Sequence, residues 1–292
     1  MPLRQPQVPR DHAGAEGEVN TGGPAAVEIE RVEETASTNA DLLAWAREAD
    51  GALVPRALVA ERQTAGRGRL GRAWASTPGA SLTFSLAWPV TAALDLSGLS
   101  LAVGVALAEA LDPRPGADLR IGLKWPNDLW LVGGAEPGRK LGGVLIETVA
   151  HGDARVAVIG VGINLLEQRV DAATSGVAWL AEIDPVAASS APALAERLVP
   201  ALAAALHRFE GEAFPAFATA FAARDLLRGR TVGWTTGSGV GREGRAGGVT
   251  AGGELLLHTP AGIEQIGSGE VSVRLAPAPA AAGALGSASR PC

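Results

Sequence analysis

From Arg120 to Gly162 the chain reads as four short strands joined by turns too brief to carry it across a sheet. The segments Arg120–Lys124, Leu129–Val132, Lys140–Thr148 and Arg155–Gly162 are rich in β-branched and large apolar residues. Trp125-Pro-Asn-Asp128 separates the first two, and His151-Gly-Asp153 lies between the last two, both typical turn chemistry. A parallel neighbour needs a crossover of roughly a dozen residues or more, so these strands must pair antiparallel. Ser81 to Trp88 alternates, with Leu82, Phe84, Leu86 and Trp88 on one face, which predicts a half-buried strand.

Helical periodicity fills the flanks. Thr35-Ala-Ser-Thr-Asn39 leads into Leu42, Trp45, Ala46 and Ala49, with Ser37 or Thr38 as the cap. Leu99–Leu111 is almost wholly apolar and predicts a buried helix, and two more helices are expected near 191–210 and 213–227. The expected fold is α+β, a mainly antiparallel mixed sheet with helices on one side. After Gly229 the pattern changes to short strands, near 230–234, 245–250, 254–258, 263–266 and 270–275, separated by glycine-rich turns. Five strands so closely spaced predict a small SH3-like barrel. The expected organisation is a catalytic domain over 27–227, a barrel over 228–275, and disordered ends at 1–26 and 276–292. The first 26 residues hold four prolines, four glycines and few large apolar side chains, too little burial to offset ordering.

Several chemistries are excluded early. The single cysteine, Cys292, is the last residue, which removes a disulfide framework and a cysteine-rich zinc site. The four histidines, His12, His151, His207 and His258, lack ligand spacing. A net charge of −6 argues against a nucleic-acid coat, and no apolar run approaches the roughly 20 residues of a membrane helix. A soluble, cytoplasmic protein with no membrane partner is expected.

Against that acidic background, Glu61-Arg-Gln-Thr-Ala-Gly-Arg-Gly-Arg-Leu-Gly-Arg72 packs four arginines and three glycines, a local charge of +3 that leaves −9 elsewhere. Glycines let backbone approach a ligand and arginine forks grip phosphate; a solvated surface loop would use the same residues. Gly66 to Gly71 also matches G-x-G-x-x-G, but that fingerprint must open a helix, and here a strand follows at Ser81. Leu123-Lys-Trp-Pro-Asn-Asp128 places a cation, an aromatic, an amide and a carboxylate within a turn. It can serve phosphate, ribose or Mg²⁺, or simply turn the chain. Arg139-Lys-Leu-Gly-Gly-Val144 and Gly160-Val-Gly-Ile-Asn164 set glycines at strand ends, as bulges or as room for a flat ligand.

Jointly, Ser37-Thr-Asn39, the Glu61–Arg72 loop with Trp74, Lys124-Trp-Pro-Asn-Asp128, Lys140-Leu-Gly-Gly143 and Gly160-Val-Gly-Ile-Asn164 resemble the biotin–protein ligase family, in the family's order, over about residues 35–165. The barrel extends the resemblance to about 275. The resemblance implies a class II synthetase-like catalytic fold and two reactions: biotin and ATP give biotinyl-5′-AMP, and a lysine of a biotin carboxyl carrier domain of acetyl-CoA carboxylase or a related carboxylase takes the biotinyl group. It implies that Ser37, Thr38, Asn39, Gln63 and the backbone near Gly143 hold the biotin head. Arg67, Gly68, Arg69 and Lys140 would surround the carboxylate and α-phosphate, Trp74 would cover adenine, and Asn127 with Asn164 would serve the nucleotide and its Mg²⁺. Gly66, Arg72 and Lys124 complete the expected binding set.

Both reactants are anions, so fixed cations should matter more than acid–base groups. Lys140, Lys124, Arg67 and Arg69 are accordingly the expected catalytic residues, with Mg²⁺ arriving with ATP near Asp128. Asp128 is also a candidate to take the proton of the incoming lysine. Some family members carry an N-terminal helix-turn-helix domain and repress transcription; here only the 1–26 segment precedes the catalytic domain, so DNA is not an expected partner, and monomer and homodimer both remain open. Two rivals stand: a lipoate or octanoate ligase on a similar fold, and an RNA-binding module using Arg67, Arg69, Arg72 and Trp74.

Overall fold

The computed structural model describes residues 27–114, 116–133, 138–168, 176–235, 241–269 and 272–275. The expected disordered ends, 1–26 and 276–292, lie outside the described residues, as does Glu270 at the expected start of the last strand. In chain order the elements are β1 (Glu28–Thr35), α1 (Thr38–Glu48), β2 (Arg56–Gln63), β3 (Ser81–Thr91), α2 (Leu99–Leu111), β4 (Ile121–Lys124), β5 (Asp128–Leu131), β6 (Arg139–His151) and β7 (Ala154–Asn164). Then come α3 (Pro185–Ala188), α4 (Ala191–Glu212), α5 (Ala218–Arg224), β8 (Thr231–Thr235), β9 (Gly241–Val249), β10 (Leu255–Thr259), β11 (Gly262–Ile266) and β12 (Ser272–Leu275). No described helix is long and apolar enough to cross a membrane.

The first sheet has seven strands in the order β1-β2-β3-β7-β6-β5-β4. Every ladder is antiparallel except β1–β2, which is parallel because α1 supplies the crossover between them. The α+β reading and its mainly antiparallel mixed sheet hold. The helices, however, lie on both faces rather than one. Leu42, Leu43 and Ala46 of α1 pack with Leu58, Ala87, Val156 and Val158 on one face. On the other, α2 and α4 join the main core with Val59, Phe84, Leu86 and Ile159.

That double cover also corrects the half-buried reading of β3, whose residues 81–88 are all buried. Its polar alternates Ser81, Thr83 and Ser85 are 2%, 1% and 0% exposed, because β3 is central in the sheet and its hydroxyls find partners inside. The helix expected over 213–227 is instead a short 3₁₀ turn, Phe214–Phe217, followed by α5. Beyond α5, Asp225 pairs with Leu123 as an isolated bridge, so the end of that span is extended.

The C-terminal strands form a five-stranded antiparallel sheet, β11-β10-β9-β8-β12. That arrangement is consistent with the expected SH3-like domain, although among the described residues its end strands β11 and β12 do not pair to close a barrel. Beyond its ladder to β8, β12 is tied to the first sheet instead, where the Val273 carbonyl accepts from Lys124 Nζ at 2.9 Å. Val232, Trp234, Ala246, Leu255, Leu257 and Val273 belong to the same buried cluster as α2 and β3. The two sheets share one core.

Candidate active site

One end of the sheet is shaped by short-range hydrogen bonds. Ser37 caps α1, its hydroxyl accepting from the Ala40 N–H, so the first turn, Thr38 and Asn39, is pinned against β2 and β3. The Gly-Arg loop folds back on itself: Arg67 bridges Ala73, the Gly68 N–H bonds the Arg72 carbonyl at 2.7 Å, and the Trp74 N–H bonds the Gly66 carbonyl at 2.9 Å. At its tip Leu70 adopts φ 58°, a left-handed conformation unusual for leucine. No helix opens from Gly66–Gly71 beyond a three-residue 3₁₀ turn, in keeping with the rejected dinucleotide reading. Trp125-Pro126, a cis peptide, sits in the β4–β5 hairpin turn.

These segments enclose a cavity of about 260 Å³. Every residue the sequence nominated lines it except Gly66, which lies behind the loop, where a Cβ would come within 2.7 Å of the Trp74 carbonyl. Two glycines of β7 clear space for lining side chains. A Cβ on Gly160 would fall 2.3 Å from Asn39 Oδ1, and one on Gly162 would fall 2.3 Å from the Trp74 ring. Glycine at both positions leaves Asn39 and Trp74 where they stand.

At one end the floor is hydrogen-bonding and nearly uncharged. Gln63 Oε1 accepts from the Thr38 N–H at 2.8 Å and lies 3.1 Å from the Thr38 hydroxyl. Thr38 Oγ1 is 2.6 Å from Ser85 Oγ, which donates to Asn39 Oδ1 at 2.6 Å. Asn39 Nδ2 donates to Glu147 Oε2 at 2.8 Å. Ser85 and Glu147 were not nominated from sequence. No local signal in the sequence marks either of them.

The other end is cationic. Lys140 Nζ donates to Asp128 Oδ1 at 2.7 Å and stands 5.8 Å from the centre of the Trp74 ring. A Cβ at Gly143 would lie 3.3 Å from Asp128 Oδ1 and 3.4 Å from Lys140 Nζ, so glycine leaves room for this pair. Arg69 donates to Asn127 Oδ1 at 3.3 Å and to the carbonyls of Ser268 and Gly269, the latter at 2.7 Å. Burial lowers the Arg69 pKa, opposed by Asp128 and reinforced by Arg72. Burial likewise lowers the Lys124 pKa; Asp128 opposes the shift, and Lys140, Arg72 and Arg274 add to it. Asn127 Nδ2 is held by the Val144 carbonyl at 2.8 Å, and Asn164 Nδ2 reaches the Lys140 carbonyl at 3.4 Å.

A neutral polar slot opening onto clustered lysines and arginines beside an indole can seat an uncharged head group with its anionic end among the cations. Among the described residues no group of three or more histidine, cysteine or acidic side chains could hold a metal by itself. Asp128 contributes one carboxylate, already partnered by Lys140. That donor set suits a magnesium ion coordinated mainly by nucleotide phosphates.

Comparison with known proteins agrees with this geometry. The sequence profile of the Biotin/lipoate A/B protein ligase family matches residues 32–164, and that of the Biotin protein ligase C terminal domain matches residues 229–274. The biotin--[acetyl-CoA-carboxylase] ligase of Mycobacterium tuberculosis is 38% identical over 216 residues, 70% of this chain and 73% of that protein. That of Paracoccus denitrificans is 31% identical over 245 residues, 81% of this chain and 97% of the other. The bifunctional ligase/repressor BirA of Salmonella typhimurium is 37% identical over 229 residues, 75% of this chain and 67% of its own length. The solved biotin protein ligase from Aquifex aeolicus, in complex with biotin and ATP, superposes with a TM-score of 0.68 at 28% identity, covering 85% of this chain and 99% of that one. The fold, the lined cavity and these matches converge: the chain belongs to the biotin protein ligase family.

Proposed function

We propose that this protein is an ATP-dependent ligase that activates biotin as biotinyl-5′-AMP and transfers it to a lysine of a biotin carboxyl carrier domain. One observation carries the reading: a neutral hydrogen-bonding slot formed by Thr38 and Gln63 shares a cavity with Lys140, Arg69 and the Trp74 indole. A urea ring needs donors and acceptors without charge, and the slot supplies them; a dithiolane or an alkyl chain would leave them unpaired. That favours biotin over lipoate or octanoate.

In the first step a biotin carboxylate oxygen attacks the α-phosphorus of ATP, and pyrophosphate leaves with the bonding pair. Negative charge accumulates around phosphorus, where fixed cations stabilise it most. Lys140, positioned by Asp128, and Arg67 and Arg69 of the Gly-Arg loop carry that role, with Lys124 behind them. Trp74 covers the adenine, and Arg72, Asn127 and Asn164 complete the nucleotide subsite. A magnesium ion would enter with the phosphates near Asp128 and neutralise part of their charge. In the second step the carrier amine attacks the mixed anhydride carbonyl, AMP leaves, and Asp128 is placed to take the amine's proton. The similarity to biotin--[acetyl-CoA-carboxylase] ligases supports a carboxylase carrier as the partner.

The test is exchange of labelled pyrophosphate into ATP with biotin, lipoate and octanoate in separate reactions. Exchange with biotin alone is expected. Exchange with lipoate instead would overturn the substrate, and no exchange by folded protein would overturn adenylation.

A further inference from the structure

We propose that Ser85 and Glu147 are positioning residues of the biotin subsite, fixing through Asn39 which way the Thr38 hydroxyl proton points. The inference rests on the biotin-ligase reading and deepens it. Its basis is the hydrogen-bond chain Glu147–Asn39–Ser85–Thr38–Gln63 beneath the cavity, whose polarity is determined from both ends.

A carboxylate only accepts, so the amide atom 2.8 Å from Glu147 Oε2 must be the nitrogen of Asn39. The Leu145 carbonyl, 3.4 Å from the same nitrogen, demands the same orientation. Asn39 Oδ1 then faces Ser85 Oγ at 2.6 Å and can only accept, so the Ser85 proton is committed to it. Ser85 can therefore offer Thr38 only a lone pair, at 2.6 Å. From the other end, the Thr38 N–H can only donate, which turns Gln63 Oε1 toward it at 2.8 Å and leaves the Gln63 Nε2 donor facing away.

The Thr38 hydroxyl is thus left with acceptors on both protein sides, and its proton points inward. Thr38 lines the cavity, so its hydroxyl can offer a ligand there only a lone pair. An acceptor that cannot donate is the complement of a urea N–H. Asn39 itself has both amide protons engaged within the protein, so it supports the neighbouring ligand groups instead of spending its donors on biotin. Ser85 is wholly buried, and the missing side chain of Gly160, its ladder partner, makes room for the Asn39 amide.

The test varies biotin at saturating ATP, and ATP at saturating biotin, in the pyrophosphate-exchange assay. Glu147→Leu removes the acceptor at a half-buried position and leaves the Asn39 amide without its anchor, and Ser85→Ala removes the link. Each is expected to raise the KM for biotin about tenfold, the scale of one charge-assisted or buried hydrogen bond, with kcat and the KM for ATP within about twofold of the parent. Asn39→Asp sets two carboxylates face to face and should also raise it. Combining Asn39→Asp with Glu147→Gln restores a donor facing an acceptor and should recover biotin affinity.

An unchanged biotin KM in Glu147→Leu, an equal rise in both KM values, or no recovery in the double variant overturns the proposal. Glu147→Leu carries the test if Ser85→Ala does not fold. A parent protein that shows no biotin-dependent exchange would instead strike the functional reading beneath it.

Discussion

Replacing Gly162 by alanine asks whether Trp74 covers the nucleotide base. Gly162 lies mid-ladder in β7, opposite Thr83 and Gly143, and its φ is not in the left-handed region, so the backbone accepts alanine. The added Cβ would lie 2.3 Å from Cε2, 2.4 Å from Cζ2 and 2.8 Å from Nε1 of Trp74. Carbon atoms in contact rest at about 3.5–4.0 Å, so the ring must retreat by roughly an ångström or more. Its backbone cannot follow freely, since the Trp74 N–H is tied to the Gly66 carbonyl. The indole therefore rotates out of the cavity and away from Lys140. Stacking of a base on an aromatic ring contributes about 1–3 kcal/mol, so the KM for ATP should rise by about 5- to 150-fold. The assay is biotin-dependent pyrophosphate exchange with ATP and biotin varied in turn, alongside a thermal melt. The KM for biotin and the Tm are expected to stay near the parent values. Trp74→Ala should reproduce the defect, and combining the two should add little, because both remove one contact. An ATP KM within twofold of the parent in a folded Gly162→Ala protein would refute the assignment of the base to Trp74.

Two other perturbations bear on separate links. Arg69→Gly deletes the bonds to Asn127, Ser268 and Gly269 that hold the Gly-Arg loop over the cavity. It is expected to release biotinyl-5′-AMP about tenfold faster and to label lysines on bystander proteins, checked by filter-trapping the intermediate; retention equal to the parent would show that the loop is not a lid. Asp225 has its pKa raised from 3.8 by burial, against the opposing pull of the Leu227 and Arg228 N–H groups and the Arg228 charge. The folded state then holds that proton more tightly than the unfolded chain. Its stabilising contribution is full below the ordinary carboxylate value and is lost as pH rises through the raised one. Asp225→Asn should therefore raise Tm at neutral pH, with the gain vanishing in acid; a gain independent of pH in melts across that range would contradict it.

The strands legible in sequence were those with a clear apolar alternation, such as β3, or with neighbours joined by short turns. β4 to β7 are joined by turns, and the turn residues mark their ends. β1 and β2 escaped notice for different reasons. Glu-Ile-Glu-Arg-Val-Glu-Glu-Thr, the edge strand β1, is too charged to show an apolar run, and β2 is set beside it only by the crossover through α1. The burial of both faces of β3 was also invisible. Its alternation of apolar with Ser and Thr is what a solvent-facing strand shows, and only tertiary contact with α1 reveals that the hydroxyls are spent inside. The cavity-lining residues were legible because glycines, arginines and a Lys-Trp-Pro-Asn-Asp turn are unusual in combination. Ser85 and Glu147 were not, since a lone serine or glutamate in a strand carries no local mark of its partners.

The shared core has a consequence for how the molecule comes apart. Trp125, 1% exposed in the β4–β5 turn, donates its indole N–H to the Gly253 carbonyl of the second sheet at 2.9 Å. Gly253 in turn packs against the backbone of Gly98 at the start of α2, leaving no room there for a Cβ. With Leu255 and Leu257 buried in the same cluster as α2, neither sheet can peel away without exposing apolar surface on both. Calorimetry of such a chain should record one endotherm, and cutting the gene between the sheets should yield two insoluble halves in place of one working piece and one spare.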